Sequence, residues 1–218
     1  MKKRAVVGFI LFFLVLVGQG KCTTVENYAA EYREEMMSTH VVTEKDFRFC
    51  VFPLTPQYVI MYNYSGYLEK QYTQDMIMEK AQETIILFED KIIATLLISY
   101  IGESTSAQIE IPDDFQEYIF LENDKGDYVR CEKVDIPSMG NVIDFFNDTT
   151  TITLYFPLMY KKEEQKLSIL ENTEYIEFIV GGLDFKENKI KYELPLFEMT
   201  EDTPVELKAL YEKLDLIE

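Results

Sequence analysis

Phe115-Gln116-Glu117-Tyr118-Ile119-Phe120-Leu121, then Asn123-Asp124-Lys125-Gly126, then Tyr128-Val129-Arg130-Cys131, reads as one β-hairpin spanning Phe115 to Ile136. Aromatic and branched residues on both arms suit a pleated, half-buried surface. Between them, Asn123 and Asp124 favour turn initiation, and Gly126 supplies the left-handed backbone that closes a three- or four-residue hairpin loop. The residues after this hairpin read as further strands that need the same core. Those before it read largely as helices that cover or tether that core.

Working outward, Ile92 to Tyr100 is apolar on both faces, as expected of a strand in the middle of a packed structure. Ile152-Thr153-Leu154-Tyr155-Phe156 is a strand stopped by Pro157, and Glu174 to Val180 alternates cleanly up to a bend at Gly181-Gly182. Phe185 to Ile190 suggests another hairpin turn leading into Lys191-Tyr192-Glu193-Leu194, while Lys161 to Lys166 is so charged that it reads as a solvated loop or a single helical turn. Phe47 to Phe52 alternates as a strand that Pro53 should break, and Tyr58 to Tyr64 reads as extended.

Three helices are expected. Val25 to Met37 carries Val25, Tyr28, Ala29, Tyr32 and Met36 at helical spacing. Asp75 to Asp90 carries Ile77, Ala81, Ile85 and Phe88, with Thr73 or Asp75 as cap. At the end, Thr203-Pro204-Val205-Glu206 combines an N-cap, a proline at the first helical position and a glutamate able to reach back. Its stripe of Leu207, Leu210, Tyr211, Leu214 and Ile217 must pack on something. Seven to nine strands against three helices favour a mainly β, α+β fold. The expected architecture is an antiparallel, immunoglobulin-like β-sandwich with an N-terminal helix, a helix at about 75–90 and a C-terminal helix.

The N-terminus reads as an address. Met1-Lys2-Lys3-Arg4 is basic, Ala5 to Val17 is uncharged and apolar, and Gly18-Gln19-Gly20 places small residues where a signal peptidase inspects them. Residues 1–20 are therefore expected to be a signal peptide, with a retained signal anchor as the alternative. Residues 21–46 form an N-terminal helical segment and 47–218 a single domain, exported to the periplasm or medium, or held at the membrane through the N-terminus. A cysteine just past an apolar run, Cys22, is the lipidation candidate, but Lys21 stands where that modification wants a small residue. In an oxidising compartment, Cys50 and Cys131 form the disulfide candidate, with two buried free thiols as the other reading.

Composition removes several functions. Of 218 residues 47% are hydrophobic, enough for one sizeable core, and the formal net charge is -18. Loss of residues 1–20 would leave 18 basic against 39 acidic side chains, or -21. Nucleic acid binding needs clustered Lys and Arg to release counterions, and anionic lipid repels such a surface. The excess acid reads either as a solubilising shell or as a surface for cations or a basic partner.

Catalytic patterns are thin. His40 is the only histidine, so any serine or cysteine triad would depend on it, and no nucleophile elbow accompanies it. It reads as a helix-terminal or surface residue, and one histidine makes no two-histidine metal site. Glu122 to Asp127 resembles a calcium loop, but Lys125 puts the wrong charge among the ligands and the hairpin turn explains the same residues. Carboxylate pairs such as Asp113-Asp114 and Glu34-Glu35 would need a defined separation to act as a glycosidase pair, which adjacency in sequence does not supply. No phosphate cradle or dinucleotide fingerprint is present, and no cofactor is expected. Asn63-Tyr64-Ser65 and Asn147-Asp148-Thr149 match the glycosylation acceptor but read as chance in a chain with a bacterial-looking signal.

Residues 93–197 resemble small exported, lipoprotein-like bacterial proteins of unknown function. The resemblance rests on the strand at Ile93, Phe115-x-x-Tyr118-Ile119-Phe120-Leu121 leading into Glu122-Asn123-Asp124-Lys125-Gly126-Asp127, the segment Ile152 to Pro157, and the Gly181-Gly182 strand end. It implies an envelope setting and carries no catalytic residues. The leading expectation is thus a non-enzymatic envelope module that binds another envelope protein or polymer through an edge or a loop surface. The alternatives are a periplasmic carboxylate-dependent hydrolase, which predicts a deep pocket with acids of raised pKa, and a subunit of an envelope assembly, which predicts an exposed stripe on the last helix.

Overall fold

The chain's longest apolar strand becomes the middle of its largest sheet. A computed structural model describes residues 24–103, 107–136, 142–145, 149–162, 165–183 and 186–216, so the expected signal peptide and Cys22 lie outside the described residues. Among these are four helices and 13 strands, all paired antiparallel, giving a mixed α+β protein with more strand than helix.

The helices are α1 (Thr24–Thr39), α2 (Pro56–Glu69), α3 (Gln74–Phe88) and α4 (Val205–Lys213). The first sheet has the order β1-β2-β3-β9-β7, built from β1 (Val42–Glu44), β2 (Phe47–Leu54), β3 (Lys91–Tyr100), β9 (Thr149–Pro157) and β7 (Lys133–Asp135). The second has the order β13-β12-β5-β6, from β13 (Asn188–Glu193), β12 (Tyr175–Val180), β5 (Ile119–Asn123) and β6 (Tyr128–Arg130). Two short pairs complete the strands: β4 (Ala107–Glu110) with β8 (Val142–Phe145), and β10 (Met159–Lys162) with β11 (Gln165–Ser168).

The strand β3 carries apolar residues on both faces because it lies between two hydrophobic clusters. Its Ala94, Leu96 and Ile98 enter one that also takes Ile119 and Leu121 from β5, Ile176 and Phe178 from β12, and Ile190 and Tyr192 from β13. Both sheets therefore bury one face in a single cluster, which is what their alternation of apolar and polar residues anticipates. On the opposite face of the first sheet, Leu97 joins Cys50 and Phe52 of β2 in a second cluster. The four helices cover that cluster with Val25 and Ala29, Tyr58 and Met61, Ile77 and Ala81, and Leu207, Leu210 and Tyr211. Residues 24–44 are accordingly built into the same body, since α1 packs in this cluster and β1 pairs with β2.

The hairpin expected from Phe115 to Ile136 forms with modified ends. Phe115–Tyr118 is a turn of 3-10 helix, and the paired arms are β5 and β6, in the register Leu121↔Val129. Gly126 takes φ +75°, Gly126 N–H donates to Asn123 O at 3.0 Å, and Asn123 N–H donates to Asp127 O at 2.9 Å, which closes a three-residue loop. After Arg130 the chain changes sheet within one peptide unit: Cys131 N–H donates to Ile119 O of β5, and Glu132 N–H to Tyr155 O of β9. Residues 133–135 thus belong to the first sheet as β7.

Other expectations are corrected. Tyr58 to Tyr64 is helical, not extended: Thr55 is the N-cap, its Oγ1 accepting from Tyr58 N–H at 3.1 Å, and Pro56 occupies the first turn. The every-second-residue pattern of tyrosine and isoleucine misleads because the helix buries Tyr58, Ile60, Met61 and Tyr64 while Tyr62 stays 59% exposed. Pro53 does not end β2. It pairs with Ala94, and a proline is tolerated there because β1 covers β2 only as far as Phe49, so the far side is a sheet edge. Lys161 to Lys166 is strand rather than loop in its described residues, in a hairpin with Lys161 directly across from Lys166. The last helix begins at Val205 with Pro204 as N-cap and no capping side chain. Thr203 Oγ1 instead accepts from Thr200 N–H and meets Tyr28 Oη at 2.8 Å.

The candidate Cys50–Cys131 disulfide is not formed, and the other reading, two buried free thiols, is the one seen. Both thiols are free and buried, Cys50 in the helix-covered cluster and Cys131 in the cluster between the sheets. Cys50 lies on the far face of β2 from Val51, which shares the cluster of Cys131, so the two side chains leave opposite faces of the first sheet.

Candidate functional site

The residues singled out by sequence do not converge. His40 ends α1, where its Nδ1–H donates to Met36 O at 2.8 Å and its ring stacks on Tyr192 at 3.9 Å. It serves as a C-terminal cap and a packing plate, consistent with the helix-end expectation. Glu34 and Glu35 are exposed on α1, and Asp114 accepts a hydrogen bond from the exposed Tyr118 hydroxyl at 3.1 Å. Among the described residues, no group of three or more His, Cys, Asp or Glu is placed to hold a metal ion. The calcium-like turn uses its oxygens internally: Asn123 Oδ1 accepts from Lys125 N–H at 3.0 Å and Asp127 N–H at 2.9 Å.

Asp127 leads to the most distinctive surface. Its Oδ2 accepts from the Tyr160 hydroxyl at 2.8 Å, and its Oδ1 from Lys162 Nζ at 2.6 Å. These two bonds to the carboxylate, that from Lys162 foremost, hold its pKa below the ordinary aspartate range. They also span from the β5–β6 turn to β10, elements 33 and 35 residues away in the chain. Between this clamp and the Glu132–Tyr155 backbone bond at the other end, β6 and β10 are splayed apart. The gap is a cleft of about 500 Å³. Tyr128, Val129 and Arg130 line one wall, with Pro157, Met159 and Lys161 on the other.

The rim is aromatic and cationic. Tyr128 is 56% exposed, its ring is edge-on to Phe120 at 6.0 Å, and the Arg130 guanidinium lies 5.7 Å over Phe120. Arg130, Lys161 and Lys162 face only Asp127 and Glu132 among the lining residues. A locally cationic cleft is unusual on a chain of net charge -18. No part of this arrangement was legible in the sequence, because β10 carries no apolar alternation and Asp127 had a sufficient explanation in its own turn.

A second, smaller groove of about 300 Å³ runs between α1, α2 and the first sheet. Phe52, Tyr58, Tyr62, Leu97, Thr151 and Arg33 line it. Tyr58 stacks edge-on with Phe52 at 4.8 Å, and burial pushes its hydroxyl up to about 12 against the opposing pull of Arg33. Its walls are the covering surfaces of the helical cluster, so Phe52 and Tyr58 are already committed to packing.

Neither surface resembles an acid–base centre. Among the described carboxyl groups with a resolved displacement, Glu44, Asp127 and Asp135 all lie below their ordinary range, each held there first by a hydrogen-bond donor. A general acid at neutral pH needs the opposite displacement.

No family model matches the chain, and no curated protein matches it. Among solved structures it is similar to a novel protein of unknown function from Burkholderia pseudomallei K96243, at 14% identity and a TM-score of 0.39, over 89% of this chain and 98% of that one. A likeness this distant says nothing about function.

Proposed function

We propose that this chain is an exported bacterial envelope protein acting as a non-enzymatic binding module. The cleft between β6 and β10 is the surface it turns towards another envelope component. The observation that carries this reading is the cleft itself: open, lined by exposed Tyr128 and Arg130, and held at one end by an aspartate already committed to Lys162 and Tyr160. Export rests on the basic and apolar N-terminal stretch, Met1 to Gly20. In its finer form the fold reading is a two-layer β-sandwich, immunoglobulin-like as expected from the sequence, which the cluster shared by the two sheets supports.

Among the described residues the carboxylate-hydrolase alternative finds no convergent pair of acids with separated pKa values. The assembly-subunit alternative relied on a free stripe on α4, and Leu207, Leu210 and Tyr211 of that stripe are buried within the protein.

Site-specific photo-crosslinking in intact cells tests the proposal. A crosslinker replacing Tyr128 should give a discrete adduct in the exported fraction, while one replacing Val205, which is 72% exposed on α4, should not. Retention in the cytoplasm, or equal adducts at both positions, would refute it.

A further inference from the structure

Which backbone groups face the cleft is set by the ladders on either side of it. In an antiparallel pair, residues alternate between those bonded to the partner and those whose N–H and C=O point away. Asp127 O and Cys131 N–H are bonded to β5, so Val129 is too. Tyr128 and Arg130 therefore direct their N–H and C=O groups away from β5, into the cleft. On the other wall Ile169 N–H donates to Leu158 O, which makes 160↔167 the next bonded pair. Met159 and Lys161 accordingly turn their N–H and C=O groups away from β11, again into the cleft. Among the described residues none of these four makes a backbone bond on that side. Each wall presents a donor–acceptor row spaced by two residues, about 6.7 Å, the repeat of an extended strand.

Two other sheet edges are blocked. Beyond β1, the edge of β2 is closed by the Tyr192 hydroxyl donating to Val51 O and by Pro53, which has no N–H. The edge strand β13 alternates Lys189 and Lys191, the charged residues that discourage edge pairing. Along Tyr128–Arg130, by contrast, there is no proline and no lysine.

We infer that this cleft takes an extended, acid-bearing peptide segment of a partner protein, which adds as a strand to the free edge of β6. The inference rests on the binding-module reading above and specifies its partner. Residues of the incoming strand opposite Tyr128 and Arg130 share their exposed face, and those opposite Val129 point inward beside Val129. The matching segment alternates acidic and apolar side chains. Its acids meet Arg130 and Lys161, neither of which makes an ion pair among the described residues. Lys161 sits directly opposite Lys166, a like-charge pair that an incoming carboxylate relieves. The protein's overall negative charge opposes approach only weakly, since charges beyond about 10 Å are screened at 0.1 M salt.

Amide exchange measured by NMR on the full chain recovered from the host envelope tests this. The probe is a blocked peptide alternating valine and glutamate, about six residues and roughly 20 Å long when extended. It should slow exchange at Tyr128 and Arg130. A version N-methylated on the residues that face β6 should not bind, and a valine–lysine version should bind about tenfold more weakly. Arg130→Glu should remove that preference without unfolding the protein, because Arg130 is exposed. Unchanged exchange at Tyr128 and Arg130 at millimolar peptide, or equal binding of the N-methylated peptide, overturns strand addition. If adducts still form at Tyr128 in cells, the binding-module reading stands while strand addition falls. If the peptide binds but Tyr128 gives no adduct, the cellular role fails and the edge chemistry stands.

Discussion

Leu207→Ala on α4 tests whether the helical layer is part of the folded core or an appendage to it. Leu207 is 0% exposed in the cluster shared by the four helices and the first sheet. The substitution deletes three buried carbons, about 2.4 kcal/mol of lost transfer energy at about 0.8 kcal/mol each. The cavity left behind brings the expected loss to about 3–4 kcal/mol. For a chain of this size that lowers the Tm by about 6–16 °C. Urea unfolding followed by far-ultraviolet circular dichroism and by tyrosine fluorescence should give one transition, moved to lower urea with an unchanged slope. Coincidence is expected because β3 contributes Leu96 and Ile98 to one cluster and Leu97 to the other, so neither can dissolve alone. Val205→Ala, 72% exposed at the start of the same helix, should change stability by no more than about 0.5 kcal/mol. A Leu207→Ala loss below about 1 kcal/mol, or two separated transitions, would refute the packing argument.

Four further predictions concern individual side chains and glycines. Asp127 should titrate below the ordinary aspartate range, so its stabilising contribution is complete above that range and fades as pH falls through the depressed value; Lys162→Ala should move its NMR titration back up, and no movement would remove the clamp. Gly182→Ala should destabilise by about 1–2 kcal/mol, because Gly182 has φ +80° and a new Cβ would lie 2.8 Å from Tyr118 Cδ2. Gly66→Ala should instead stabilise by about 1 kcal/mol, since it lies within α2 with nothing within 4 Å of the added methyl; urea midpoints of opposite sign check both. Burial pushes the Cys50 thiol up to about 11 and also raises Cys131, so neither should alkylate at pH 8 in the folded protein. Both should alkylate on unfolding without reductant, and failure to do so would restore the disulfide.

Legibility tracked how local each signal was. The helix expected at 75–90 is α3, Gln74–Phe88, because Thr73 capping Met76 N–H and the Ile77/Ala81 stripe all lie within a few residues. The Asn123–Asp127 turn was equally readable, since its bonds close on themselves. Tyr58 to Tyr64 misleads although Thr55-Pro56 offers the same threonine–proline start as Thr203-Pro204. The structure reverses the two, with Thr55 capping its helix and Thr203 bonding back to Thr200 and across to Tyr28. A threonine hydroxyl has several partners within reach, and the tertiary surroundings select among them.

By itself, the sequence determined the strand-rich class, the central apolar strand, the amphipathic faces of α3, β12 and α4, and the acidic balance of the chain. Each of these comes from periodicity or charge, which act over a few residues or over the whole surface at once. Only the tertiary structure decided that Cys50 and Cys131 leave opposite faces of one sheet, that Pro53 is tolerated where β1 no longer covers β2, and that β6 and β10 meet across a cleft clamped by Asp127. Those outcomes depend on strands far apart in the chain being brought side by side. Register and sheet order are set by the shared burial of both sheets, and no local pattern encodes them.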